Sequence, residues 1–379
     1  TNTFNVNATT TTFKYGNGDS NNNDGLVFSN GTNNINFTNT SGATLNWRSN
    51  ASNSDVKNTS NSDIKTTGGI TNINFNHNGT LASGINTSNS GVTNITISDS
   101  KNATITGAIQ TNTTQGNVIL ASLNPLAEVK SSTAETNIIF NGSNASLSLR
   151  DNATINSLNA KGENNTLNLS DQTRNNGQIT PRESFHTLEI TNLDKDSKAI
   201  NFIVYVNPNA TNNKSTTNKS DRIIIEESTG NSESSTTNQT HYLGVAGNAN
   251  DIIGKVSYEK GSANNIALAT IKDSSNITLQ ATDSISGFSL ISYTFATDAT
   301  DQNGSTSTSS GNGYTTYFLG SAVSKGATTA TQQASAAALG SNYDLYLANM
   351  NSLNKRMGEL RENANSQGAW ARIFNGMQT

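Results

Sequence analysis

TNNINF at residues 32–37 returns as TNINF at 71–75, TNITI at 93–97, GNVIL at 116–120 and TNIIF at 136–140. Each copy carries apolar residues two apart: Ile35 and Phe37, Ile73 and Phe75, Ile95 and Ile97, Val118 and Leu120, Ile138 and Phe140. In extended chain a period of two sends alternate side chains to opposite faces, so one face of each copy is apolar and the other carries Asn and Thr. The copies recur at intervals near 20 residues or twice that, which is the range of stacked repeats. Between them lie further pairs, Leu45 with Trp47, Ile105 with Ile109, Leu147 with Leu149 and Leu167 with Leu169. Several short strands per repeat, with inward residues resting on those of the next, predict an all-β right-handed parallel β-helix over residues 1–182.

Composition points the same way. Charged residues make up 13% of the chain and the apolar set 32%, both low for a globular protein, while Asn alone fills roughly a sixth of the positions. Thr, Val, Ile and Phe favour pleated backbone, and Asn and Gly tolerate the left-handed conformations of tight turns. The competing reading of such a chain is a disordered Asn/Ser/Thr tract. The regular alternation of apolar pairs argues against it. One repeat buries too few side chains to offset the ordering of about 20 residues, so stability has to accumulate through neighbour interfaces.

The chain has no Cys, which removes disulfides and thiolate metal sites. A net charge of −4 leaves no basic stripe for phosphates, so nucleic acid is not an expected partner. No stretch reaches the ~18 apolar residues of a membrane-spanning helix, and TNTFNVNATT at 1–10 lacks the pattern of a signal peptide. The sequence reads as a piece of a longer protein.

From 183 to 322 the texture changes to denser strands, among them NFIVYV, DRIIIEES, HYLGVAG and TTYFLG, broken by the polar loop 207–220. Residues 323–340 form a small-residue linker. Ser341 with Asp344 suits a helix start, and Tyr346, Met350, Leu353, Met357 and Leu360 recur at steps of four and three, predicting a helix over 341–364. AWARIFN then alternates as a strand within 365–379.

The run LNKRMGELRENANSQGAWARIFNG, Leu353 to Gly376, closely resembles the junction of autotransporters, proteins of type V secretion. The five-residue stripe by itself would suit an ordinary amphipathic or coiled-coil helix; the following strand reverses that reading. The resemblance implies an extracellular passenger, a helix that plugs an outer-membrane barrel, and a first barrel strand near Gly368. More weakly, SDRIIIEES at 220–228 resembles the Ser-Asp strand of the pertactin-like autochaperone module, although Ala199, Ile200 and Asn201 replace the usual preceding Gly. The resemblance also implies partners: the chain's own β-barrel and the outer-membrane assembly machinery. A dense module emerging first would give the stack an edge on which to fold, offsetting the nucleation cost of the first repeat.

In one branch of the family an Asn two residues before this Leu cleaves its own backbone. The match places that role on Asn351, where the family's second Asn is replaced by Ser352. An Asn amide nitrogen can close a five-membered succinimide on its own carbonyl carbon.

Other chemistry is sparse. His77, His186 and His241 stand in unrelated contexts, with no HExxH run and no nucleophile turn, and each reads as a surface residue or one whose polar atoms are fully hydrogen-bonded. DSNNNDG at 19–25 places Asp24 where a calcium loop needs Gly, so an Asn/Asp turn is expected. Asn303 in DQNGS carries the upstream acid favoured in bacterial N-glycosylation. No enzyme activity, metal or cofactor is expected. The function expected is binding, as an adhesin or aggregation factor that engages a host-cell surface, a glycan or another copy. The alternatives are the C-terminal part of a passenger of vacuolating-cytotoxin type, or of a hydrolase, whose active segment lies upstream.

Overall fold

The computed structural model describes residues 1–14, 26–48, 64–112, 134–170, 174–175, 178–179, 181–210, 219–228, 238–262, 264–286, 289–302 and 313–325. The chain divides into two units, Thr1–Ser286 with Leu290–Ser324, and Gly287–Ser289 with Lys325–Thr379. Almost all of the second lies outside the described residues, and with it the expected helix 341–364 and strand 365–379, as does nearly all of the linker 323–340. The architecture that follows is that of the first unit.

It is nearly all β, and its strands stack in parallel rows. One row passes in sequence order through Asn2–Val6, Thr32–Phe37, Ile70–Phe75, Val92–Ile97 and Glu135–Phe140, each pairing in parallel with the next. A second row, a nine-stranded sheet, runs from Thr10–Lys14 through Ala43–Arg48, Gly79–Ala82, Asn102–Ile105, Ser146–Leu149, Asn165–Asn168, Ile200–Val206 and Gln239–Gly247 to Ile277–Thr282. A third, of short strands, links Val27–Phe28, Ile64–Thr66, Ile85–Ser88 and Ile109–Asn112. The chain visits the rows in turn. At Ala153–Ala160 the first and third rows fuse: Ala153 faces Ile109, and Ser157 to Ala160 face Asn137 to Phe140. The fused row continues through Thr187–Leu193, Arg222–Glu227 and Ala267–Lys272.

Register keeps like residues together. Ile35, Ile73, Ile95, Ile138, Leu158 and Leu193 follow one another across the first row, all buried. Ile64, Ile85, Ile109, Ala153, Leu188 and Ile223 do the same across the third. The Phe37 and Phe75 rings stack with centroids 4.4 Å apart, and a Cβ on Gly79 would come within 2.6 Å of the Phe37 ring. Ile105 and Ile109, expected as one alternating pair, instead end one strand and begin the next, both buried. Gly107 turns the corner between them, where a Cβ would lie 2.3 Å from the Gly84 nitrogen.

Polar residues follow the same register. On the outward face of the first row Asn72 Nδ2 donates to Asn34 Oδ1 at 2.9 Å, Asn94 to Asn72 at 3.0 Å and Asn137 to Asn94 at 3.1 Å. Inside, the hydroxyls of Thr71, Thr66, Thr93, Thr87, Thr136 and Thr111 follow one another at O···O distances of 2.8–2.9 Å. Thr111 closes this chain on the Thr154 carbonyl at 2.7 Å. A hydroxyl is both donor and acceptor, so such a chain satisfies polar atoms that would otherwise be costly to bury. At a turn, buried Asn165 donates to the Gly142 and Gly162 carbonyls, each at 2.8 Å, and accepts from the Ala145 amide at 2.9 Å.

The asparagine bonds also measure the step. Asn94 lies 22 residues from Asn72, and Ser157 lies 20 from Asn137. The intervals of 38 and 43 residues, Asn34 to Asn72 and Asn94 to Asn137, span segments 49–63 and 113–133. The copy expected at 116–120 falls in the second of these, outside the described residues. Val92–Ile97 pairs directly with Glu135–Phe140, so the row passes from one to the other without it.

The parallel pairing runs on past residue 183, and some of the strands beyond it are more deeply buried. Ile200–Val206 buries Val204, Tyr205 and Val206 in succession, and Ala267–Lys272 buries Leu268 through Ile271. Both faces are therefore covered, as in the interior of a larger core. The only α-helix among the described residues is the single turn Ala249–Ile252, capped by the Asn248 side chain. The first row closes on antiparallel strands: Ala267–Lys272 pairs with Tyr314–Ser324, which pairs in turn with Ser289–Thr300.

Candidate functional site

Asn351 and Ser352, the expected cleavage junction, lie outside the described residues, as do Asn303 and the 19–25 loop. The three histidines are dispersed. His77 is half-buried at a turn and His186 half-buried before Thr187–Leu193, while His241 is buried within Gln239–Gly247. His241 departs from the expected surface or fully bonded residue. Its Nδ1 accepts from the Ile200 amide at 3.1 Å, so the proton of the neutral ring sits on Nε2, which has no partner among the described residues. Burial pushes its pKa down to about 4.

The Ser-Asp pair lies at a polar junction of several bonds. Asp221 is fully buried at the start of Arg222–Glu227. Its Oδ1 accepts from the His186 amide at 2.8 Å and from Arg182 Nη2, and its Oδ2 accepts from the Tyr205 amide at 2.9 Å. The Arg182 guanidinium lies 4.9 Å from the centroid of the Tyr205 ring, whose hydroxyl accepts from the Arg182 amide at 3.0 Å. Ser220 Oγ donates to the Ala267 carbonyl at 2.6 Å. Asn207 N donates to the Lys219 carbonyl at 2.9 Å, so the ends of the 207–220 loop are tied together. Burial raises the Asp221 pKa to about 6, against the opposing pull of Arg182 and of the two amides. One carboxylate thus joins three separate segments. Sequence reasoning marked Asp221 through the resemblance but missed Arg182 and Tyr205; a lone Arg beside Pro181, just ahead of an apolar strand, was the available signal.

Among the described residues no group of three His, Asp or Glu is placed to hold a metal ion. A polar cleft of about 250 Å³ opens between Lys195, Ser228, Gln239 and Asn276. Its central Gln239 is already engaged, donating to the Asp194 and Lys195 carbonyls and accepting from Ser228. The outward face of the first row carries polar side chains in register from strand to strand. Comparison with known proteins matches no family model to this chain and no curated protein sequence.

Proposed function

We propose that this chain is the C-terminal part of an autotransporter passenger of a Gram-negative bacterium, and that it acts by binding, as an adhesin or aggregation factor. In this reading the three rows are the sides of a right-handed parallel β-helix, each circuit of short strands forming one coil. The observation that carries it is the parallel, in-register, sequence-ordered pairing, whose shortest steps are 20–24 residues: 20 from Asn137 to Ser157, 22 from Asn72 to Asn94 and 24 from Asn86 to Gln110. Parallel strands joined by crossovers are right-handed in nearly all cases. The buried strands and antiparallel closure between 183 and 322 support an autochaperone-like cap, with Asp221 locking it to the coils. The resemblance from Leu353 to Gly376 supports a barrel-plugging helix and a first barrel strand.

Release would follow attack of the Asn351 side-chain nitrogen on its own carbonyl carbon. This breaks the bond to Ser352, whose nitrogen leaves as an amine after taking up a proton. The test is to produce the chain fused to an outer-membrane barrel in a Gram-negative host. The proposal expects residues 1–322 to be cut by external protease on intact cells, and those cells to adhere to host cells or to each other. A passenger confined to the periplasm, or surface display without adhesion of any kind, overturns it. Mass spectrometry of a released product should find Asn351 at its C-terminus; any other end removes that assignment.

A further inference from the structure

The outward face of the first row repeats in two dimensions. Asn34, Asn72, Asn94 and Asn137 occupy one register column, and Asn36, Asn74, Thr96 and Ile139 the next, two residues along each strand. In-register parallel strands repeat about every 4.8 Å, and positions two residues apart lie about 6.6 Å from each other. Each interior amide of the first column gives one N–H to its neighbour and receives one on its oxygen. A primary amide has two N–H donors and two lone pairs, so one of each remains. The ladder holds the amide planes in place, so little rotamer freedom would be lost on contact. Neither column contains a charged residue, and Glu135 stands at their margin.

We infer that this face binds a neutral, extended polysaccharide lying along the stacking direction, with a sugar repeat close to the strand spacing. The inference rests on the adhesin reading above and names its ligand class and the surface that takes it. A repeating polymer of hydroxyls offers a donor and an acceptor at every step, matching the spare capacity of every amide. A single site of this kind contributes little, and many in register accumulate. A neutral face meeting a neutral chain has no ion pairs for salt to screen.

The second row provides a control. Thr44, Thr80, Thr104 and Ser148 form an outward column there, with no amide ladder. The experiment uses the full chain and a graded series of neutral, equatorially linked hexose oligomers, with heparin as the charged comparison, followed by calorimetry at low and high salt. Affinity should rise with oligomer length over four to six sugars, change little with salt and fall roughly tenfold in Asn72→Val/Asn94→Val. Thr80→Val/Thr104→Val should bind as the unaltered chain does. Valine suits an outward strand position, and an unchanged thermal midpoint confirms folding. Binding of heparin alone, affinity independent of length, or equal loss in both variants overturns the inference. Cells that adhere through the displayed chain but ignore every neutral oligomer leave the adhesin reading standing and remove this one; cells that do not adhere while the purified chain binds oligomers do the reverse.

Discussion

Gly79 shows how much one hydrogen atom can decide. A methyl group there would meet the Phe37 ring at 2.6 Å and the Phe75 ring at 3.0 Å, so Gly79→Ala should lower stability by about 1–3 kcal/mol in denaturant titration, an overpacking cost. The closer of the two rings stands 42 residues earlier in the sequence, beyond the reach of any local pattern. The histidine and the aspartate make a paired pH prediction. His241 titrates at about 4 when folded and near 6.5 when unfolded, so the folded state binds fewer protons and loses stability as pH falls from 6.5 to 4. Asp221 titrates at about 6 when folded and near 3.8 when unfolded, so it has the opposite slope and loses stability as pH rises from about 4 to 6. The two offset each other in one window, at about 3 kcal/mol each. His241→Phe should therefore leave a midpoint that climbs on acidification, and Asp221→Asn one that drops; thermal melts between pH 4 and 7 read both. Parallel profiles in the two variants would contradict the assignment.

At the scale of strands, alternation was the legible part: Ile35 with Phe37 and Ile73 with Phe75 point inward as their period requires. The corner at Gly107 was not legible, since a period of four between Ile105 and Ile109 does not distinguish a continued strand from a turn. Nor was the hydroxyl chain: Thr71, Thr93 and Thr136 recur at the head of the repeat, but Thr66, Thr87 and Thr111, which join them, come from another row that only the fold brings alongside. Thr93→Val interrupts that chain between Thr66 and Thr87 and should cost about 1–3 kcal/mol, the price of stranding buried hydroxyls, while Thr104→Val on the outward face should cost almost nothing. Ile200–Val206, Arg222–Glu227 and Ala267–Lys272 bury neighbouring residues on both faces, and an antiparallel pair closes the row. Hydrogen exchange should accordingly find the slowest amides between 185 and 322; uniform protection along the chain would count against a cap that folds first.

For the whole molecule, the sequence carried the repeat but obscured its count. A step of 20–22 residues is plain where Asn72 meets Asn94 and where Asn137 meets Ser157. The longer segments 49–63 and 113–133 stretch other steps, and GNVIL, read as a copy of the repeat, falls within the second, outside the described residues. The candidate site was legible in kind, as a long polar face, but not in place, because only register shows which asparagines meet. Everything in this architecture depends on that register, and a chain without cysteine gives a clean background for testing it. Asn34 and Asn72 are paired neighbours, about 4.8 Å apart and within the roughly 4.4–6.8 Å that a disulfide spans, whereas Asn34 and Asn94 are two steps apart, near 9.6 Å. Oxidation should cross-link Asn34→Cys/Asn72→Cys rapidly and leave Asn34→Cys/Asn94→Cys reduced. Equal cross-linking of the two pairs, or a preference for the second, would contradict the stacked parallel register.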